Sequence, residues 1–139
     1  MGFIWKIGLF LLGGTGYVGL ELLWRGRSHI SMFCAGGICF LLLGLLQRTR
    51  LSPPAKSLLG ASIITTVEFF TGLLVNRQYQ VWDYRQMPLN LLGQVCLPFS
   101  LLWVPVSFGA LLLHQWLNRI SFFSADALGA QTPVKRNRP

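Results

Sequence analysis

The stretch Leu9–His29, LFLLGGTGYVGLELLWRGRSH, decides how the whole chain is read. Within it, Gly14-Thr15-Gly16-Tyr17-Val18-Gly19 spells G-x-G-x-x-G behind an apolar run, which is the form of a dinucleotide-binding turn. Such a turn needs a strand before it, a helix after it and an acid about 20 residues further on to hold the ribose. At that distance stands SMFCAGGICF, which has no acid, and long apolar runs follow in place of strand–helix alternation. The dinucleotide reading therefore fails. Glycine has another use, because it lets membrane helices approach one another closely. Gly16 and Gly19 are i, i+3 neighbours, and Gly14 shares a face with Glu21. The pattern predicts a tightly packing helix face that turns Glu21 inward.

Composition points the same way. Of 139 residues, 53% are hydrophobic and 12% charged, against the roughly 25% charge of an ordinary soluble domain. The acids are Glu21, Glu68, Asp83 and Asp126, too few to help keep a soluble surface dispersed. The net charge of +8 sits in short clusters between apolar runs rather than in one patch interleaved with aromatics. That is the distribution of membrane loops and excludes nucleic acid as a partner. Cys34, Cys39 and Cys96 all fall inside apolar runs and read as small buried side chains rather than a disulfide framework. The first apolar run is too long for a cleavable leader and lacks a small-x-small cleavage site.

Four apolar stretches separate: about 7–24, 30–46, 57–75 and 91–113. Each approaches the roughly 20 residues that a helix needs to cross a hydrocarbon core. The expected fold is an all-α integral membrane protein, a four-transmembrane-helix bundle over residues 1–120, followed by a polar, disordered tail over 121–139. Pro98 and Pro105 are expected to kink the fourth helix, and LNLLGQVC at its start reads as partly unwound. With an even number of spans, Lys6, Arg48, Arg50, Lys56, Arg119 and the basic tail share one side, and Arg25, Arg27, Arg77 and Arg85 the other. The positive-inside rule then places both termini in the cytoplasm. Trp5 and Trp116 fall at the inner interface, and Trp24, Tyr79, Trp82 and Tyr84 at the outer one.

The polar residues within and beside the spans define a candidate site. A carboxylate at a helix centre costs about 2.5–3.5 kcal/mol on insertion scales, so an intramembrane acid is by default functional. Glu21 stands one turn before Arg25, the spacing of a Glu–Arg pair. Glu68 lies eight residues before Asn76, about 12 Å below the helix end by helix rise. Both acids belong to the outer half of the bilayer, facing the boundary that carries Arg25, His29, Asn76, Asp83 and Asn90. A structural role competes at each position: Glu21–Arg25 fixes helix rotation, Glu68 bonds a neighbouring backbone, and His29 caps the second helix. The loop NRQYQVWDYRQMPLN (Asn76–Asn90) reads either as an amphipathic segment at the headgroups or as an outer lid over the Glu21/Glu68 region.

Nucleophile–base and metal-ligand spacings are both missing from the sequence. His114, the other histidine, falls toward the opposite face. Neither an enzyme, a metal nor a cofactor is expected, and the lack of G-x-x-x-x-G-K-[ST] excludes a P-loop ATPase in this chain.

The segment EFFTGLLVNRQYQVWDYRQMPLNLLGQVCLPF resembles the ABC-transporter type IV (CmpB-like) family of small bacterial membrane proteins, through Glu68, Gly72, Trp82-Asp83-Tyr84, Pro88, Asn90, Gly93 and Cys96-Leu97. In the first half Glu21 and Arg25-Gly26 are similar to the family's early glutamate and the Arg-Gly after it. RSHISM stands where a proline-rich segment is usual, and Arg85 replaces the customary serine. The resemblance implies a multi-pass protein of the bacterial plasma membrane, permease-like or a transport subunit. With four spans it would work as a homo-oligomer or with a separate membrane or ATPase partner in the lipid bilayer. The alternative is a non-transporting scaffold or accessory subunit whose acids only fix helix packing.

Overall fold

Apolar runs long enough to span a bilayer become helices because helix formation is the way a single segment satisfies its own backbone in hydrocarbon. A computed structural model describes residues 2–129, with side-chain surroundings through Ser124, and contains α1 (Phe3–Arg25), α2 (Ile30–Gln47), α3 (Pro53–Val75) and α4 (Leu97–Gly129). All four are long and apolar enough to cross a membrane. The four-helix bundle read from the sequence is the fold.

Local chemistry sets the helix limits. Ser52 Oγ accepts from the Ala55 N–H at 3.4 Å, and Pro53 and Pro54 occupy the first positions of α3. Proline is tolerated there because the first N–H groups of a helix are unpaired anyway. The helix expected from about residue 57 therefore begins a turn earlier. His29 caps α2 by accepting the Ser31 N–H on Nδ1 at 3.2 Å.

The fourth span differs most from expectation. Residues 91–96 are not helical: Asn90–Leu91 (β1) pairs antiparallel with Val95–Cys96 (β2), in the register Asn90 to Cys96 and Leu91 to Val95. Leu92 and Gly93 take positive φ of 52° and 66° at the turn, a conformation that Gly93 adopts without strain. Helix α4 starts only at Leu97, so Pro98 falls in its first turn, where its missing N–H costs no helical bond, and Pro105 alone lies in the helix interior. At the other end α4 runs on to Gly129, so residues 121–129, expected in a disordered tail, are helical. The rest of that expected tail, 130–139, lies outside the described residues.

Helix α1 packs along α2, α3 along α4, and α2 also touches both α3 and α4. The α1–α2 seam is closed by glycine, though not by the pair the sequence points to. A Cβ on Gly13 would stand 2.8 Å from the Gly36 carbonyl oxygen, and a Cβ on Gly36 would stand 2.8 Å from the Gly13 carbonyl oxygen. Gly14 and Gly37 are crowded in the same way, by Phe33 and Phe10. Gly16 and Gly19, by contrast, face open space. The packing face of α1 is Gly13-Gly14, because Gly13 meets Gly36 backbone to backbone and Gly14 makes room for Phe33 of α2.

Cys39 and Cys96 are buried as expected, whereas Cys34 is exposed on the bundle surface. Two apolar clusters form the core. One, at the end bearing residues 76–96, gathers Tyr17, Met32, Trp82, Tyr84 and Cys96. The other, deeper, gathers Cys39, Leu43, Ile64 and Leu111.

Candidate functional site

Glu68 projects from α3 into the bundle and is 4% exposed. Its two oxygens accept from two different helices: the Tyr17 hydroxyl of α1 donates to Oε1 at 3.2 Å, and the Trp103 indole N–H of α4 donates to Oε2 at 3.2 Å. The donor rings themselves stack, with centroids 5.5 Å apart and planes 28° apart. No cation touches Glu68; among the described residues the ion pairs are Glu21–Arg25 and Asp83–Arg85. A carboxyl so far from water is tolerated because each oxygen has a donor.

One helical turn further along α1, Glu21 pairs with Arg25 at 3.6 Å, their side chains 11% and 18% exposed. Tyr17, Glu21 and Arg25 recur every four residues and so share a face. The Arg25 guanidinium donates to the Tyr84 hydroxyl and lies over that ring, 5.3 Å from its centroid. Tyr84 in turn stacks on Phe99 of α4 at 5.0 Å. Burial pushes the Tyr84 phenol well up, so it stays neutral and serves Arg25 as an acceptor. A line of contacts thus runs from Glu68 through the Tyr17–Trp103 stack and Glu21–Arg25 to Tyr84 and Phe99.

Beside this line, α1 and α4 leave a gap. A cavity of about 330 Å³, lined mainly by apolar residues that include Leu12, Gly16, Leu20, Val106 and Ala110, extends up to Tyr17 and Trp103. A second space of about 140 Å³ carries on from the same Tyr17, Leu20, Trp103 and Val106 to Glu21, Arg25 and Tyr84. The two form one crevice, apolar along most of its length and charged at one end. Glu68 does not line it; Tyr17 and Trp103 stand between.

The other polar residues singled out from the sequence lie elsewhere. Asn76 organises the loop after α3: its Nδ2 donates to the Trp82 carbonyl at 2.7 Å and to Gln94 Oε1 at 2.9 Å. Its Oδ1 accepts from the Val81 and Trp82 N–H groups, and Gln94 Nε2 returns a bond to the Asn76 carbonyl. Trp82 and Tyr84 are consequently buried in protein rather than exposed as interface anchors, and the loop is seated as a cover on the bundle end. Asp83 points outward to a bidentate pair with Arg85, whose hydrogen bonds hold its carboxyl at about 2. Asn90 accepts the Gly93 N–H and donates to the Met87 carbonyl, bracing the hairpin turn. His29 is exposed at its cap. Of the seven residues, the structure joins Glu21, Arg25 and Glu68, and gives His29, Asn76, Asp83 and Asn90 local structural tasks.

The sequence reading does not bring Tyr17, Trp103 and Phe99 to the acids, and it places Tyr84 at the outer interface and in the Trp82-Asp83-Tyr84 motif without joining it to Arg25. Two signals pointed to them. Tyr17 stands at i−4 from Glu21, and Trp103 is a mid-span tryptophan whose N–H needs an acceptor.

These features define a multi-pass helical membrane protein with an intramembrane carboxyl clasped by two aromatic donors. A family model described as "Putative ABC-transporter type IV" matches residues 15–130, and the chain belongs to that family. Tyr17, Glu21, Arg25, Glu68, Tyr84 and Trp103 all lie within the match. Comparison with curated proteins and with solved structures returned no match. The protein is thus a transporter-related component of a lipid bilayer.

Proposed function

We propose that the protein is a permease-like subunit that admits an amphipathic molecule from the bilayer into the crevice between α1 and α4. The apolar body would lie against Leu12, Gly16, Leu20 and Ala110, and the polar end would meet Glu21 and Arg25. The observation that carries this reading is the continuity of the crevice from an apolar floor to an ion pair. Glu68 acts behind it, holding Tyr17 and Trp103 at the point where the apolar part meets the charged one. Four helices and no nucleotide-binding sequence mean that energy or a complete pathway would come from a second copy or a separate membrane or ATPase partner. The chain itself catalyses nothing in this reading. It resides in a bacterial plasma membrane with both termini cytoplasmic, which puts the ion pair in the outer leaflet.

The competing reading is a scaffold, and the sealed, doubly bonded state of Glu68 favours it. The two separate by filling the crevice without touching Glu68. Gly16 faces open space there, so Gly16→Leu would occupy the crevice while sparing the α1–α2 seam. Amphipathic molecules that co-purify with the full chain in mild detergent are identified by mass spectrometry for wild type and Gly16→Leu. Loss of a specific molecule in the variant supports admission; identical profiles leave the scaffold. Orientation is tested with an impermeant thiol reagent at Gln80→Cys, with Cys34 replaced by Ser. Labelling only from the cytoplasmic side would reverse it.

A further inference from the structure

The end of the bundle opposite the acids has a polar pocket that the transport reading leaves unused. It has a volume of about 240 Å³ and is lined by Trp5 and Lys6 of α1, Arg48 at the end of α2, and His114 and Asn118 of α4. Three features point to a ligand there. Its polar lining contains cations, an amide, an imidazole and an indole N–H, with no carboxylate. Lys6 and Arg48 are not ion-paired among the described residues, where the pairs are Glu21–Arg25 and Asp83–Arg85. The Trp5 indole nitrogen is buried with no hydrogen-bond partner, which is costly for a donor unless a ligand supplies the acceptor.

Below these groups the wall turns apolar, with Leu9, Leu41 and Leu45. Its floor is closed by His114, which is 1% exposed, stacks on Phe40 and donates from Nε2 to the Phe40 carbonyl at 2.6 Å. Donors above an apolar wall, at the end of three membrane helices, match an anionic oxygen cluster carried on hydrocarbon. We propose that this pocket binds a phosphate group, with Lys6 and Arg48 neutralising it and Trp5 Nε1 donating to one of its oxygens. An anionic phospholipid headgroup and free phosphate share that chemistry; the apolar wall favours the lipid.

The test uses the full chain in detergent and native mass spectrometry with three probes: dioleoyl phosphatidylglycerol, dioleoyl phosphatidylcholine and inorganic phosphate. Phosphatidylglycerol is expected to bind in preference to the zwitterionic lipid. Removing each positive charge should weaken it roughly fivefold, and Lys6→Gln with Arg48→Gln together roughly thirtyfold. Both side chains are exposed, so the double variant is expected to keep its fold, which a thermal unfolding scan checks. Trp5→Phe keeps the ring and removes only the N–H; it should weaken binding about tenfold, as loss of a hydrogen bond to a charged acceptor does. Arg27→Gln with Arg77→Gln, at the other end, should leave affinity unchanged. Saturable binding of inorganic phosphate with the same dependence on Lys6, Arg48 and Trp5 would support the site and assign it to the free anion. Equal affinity of wild type, the Lys6/Arg48 double variant and Trp5→Phe for phosphatidylglycerol and for phosphate would overturn it. So would an equal loss from the Arg27/Arg77 variant. Because no residue is shared with the α1–α4 crevice, this outcome is independent of the Gly16→Leu experiment.

Discussion

Replacing Gly36 by alanine should loosen the clasp on Glu68 by way of Tyr17. The added Cβ would lie 2.8 Å from the Gly13 carbonyl oxygen and would press on the Cβ of Tyr17. Ordinary contact begins near 3.4 Å, so α1 and α2 must part by roughly half an ångström or more. Tyr17 rides on the moving helix, and its bond to Glu68 is already 3.2 Å long. A shift of that size away from Glu68 would stretch it beyond hydrogen-bond length. Overpacking costs about 1–3 kcal/mol, and leaving a buried acceptor short of a donor costs about 1–3 kcal/mol. The better helix propensity of alanine returns up to about 1 kcal/mol. A net loss on the order of 3 kcal/mol is expected, read from unfolding in mixed micelles titrated with dodecyl sulfate. Gly16→Ala is the control, since its Cβ meets nothing within 4 Å; it should be neutral or stabilising by up to about 1 kcal/mol. If Gly36→Ala matches wild type, or if Gly16→Ala is equally damaging, the account of the glycine seam is wrong.

Three further outcomes follow from the same geometry. Tyr17→Phe and Trp103→Phe each remove one donor from Glu68 and should cost about 1–3 kcal/mol; in a cycle with Glu68→Gln a coupling below about 0.5 kcal/mol would show the clasp to be energetically idle. Asn76→Ala breaks four side-chain hydrogen bonds at once and should expose the 76–96 cover to protease, whereas Asn90→Ala, at an exposed turn, should do so far less. Asp83 has a carboxyl depressed to about 2 by Arg85, so the contribution of this pair to the cover is fully present above the ordinary carboxylate range and is lost as pH falls toward 2. Arg85→Gln should move the Asp83 titration, followed by carboxyl carbon NMR, back up toward its usual value; an unmoved titration would contradict the pairing.

The bundle was legible because apolar length and sparse charge leave few alternatives in a 139-residue chain. Glu21–Arg25 was legible from spacing alone. What sequence could not supply was the partner across the bundle: Tyr17 and Trp103 are 51 and 35 residues from Glu68, and no periodicity links them. Of the glycines the sequence singles out on α1, Gly14 packs against α2, whereas Gly16 and Gly19 face open space, because close approach needs a fitting partner at the same height on the facing helix. Residues 89–96 read as a partly unwound entry to the fourth span, and the stretch before α4 is indeed not helical; that it forms a hairpin is hidden because Leu91-Leu92 and Val95-Cys96 are as apolar as the span that follows, and only Gly93 and the side-chain bonds of Asn90 and Gln94 set it apart.

The clasp on Glu68 also bears on how the chain is made. Its donors come from the first helix and the last, while the carboxyl sits on the third. Helices leaving the translocon in order would deliver α3 to the bilayer with Tyr17 alone within reach, because Trp103 is still being synthesised. The intermediate holds a half-satisfied acid until α4 docks, so a nascent chain ending near Leu97 should be conspicuous to membrane proteases in a way that a Glu68→Leu version of the same fragment is not. Completion of the bundle and concealment of its most vulnerable residue are then a single event.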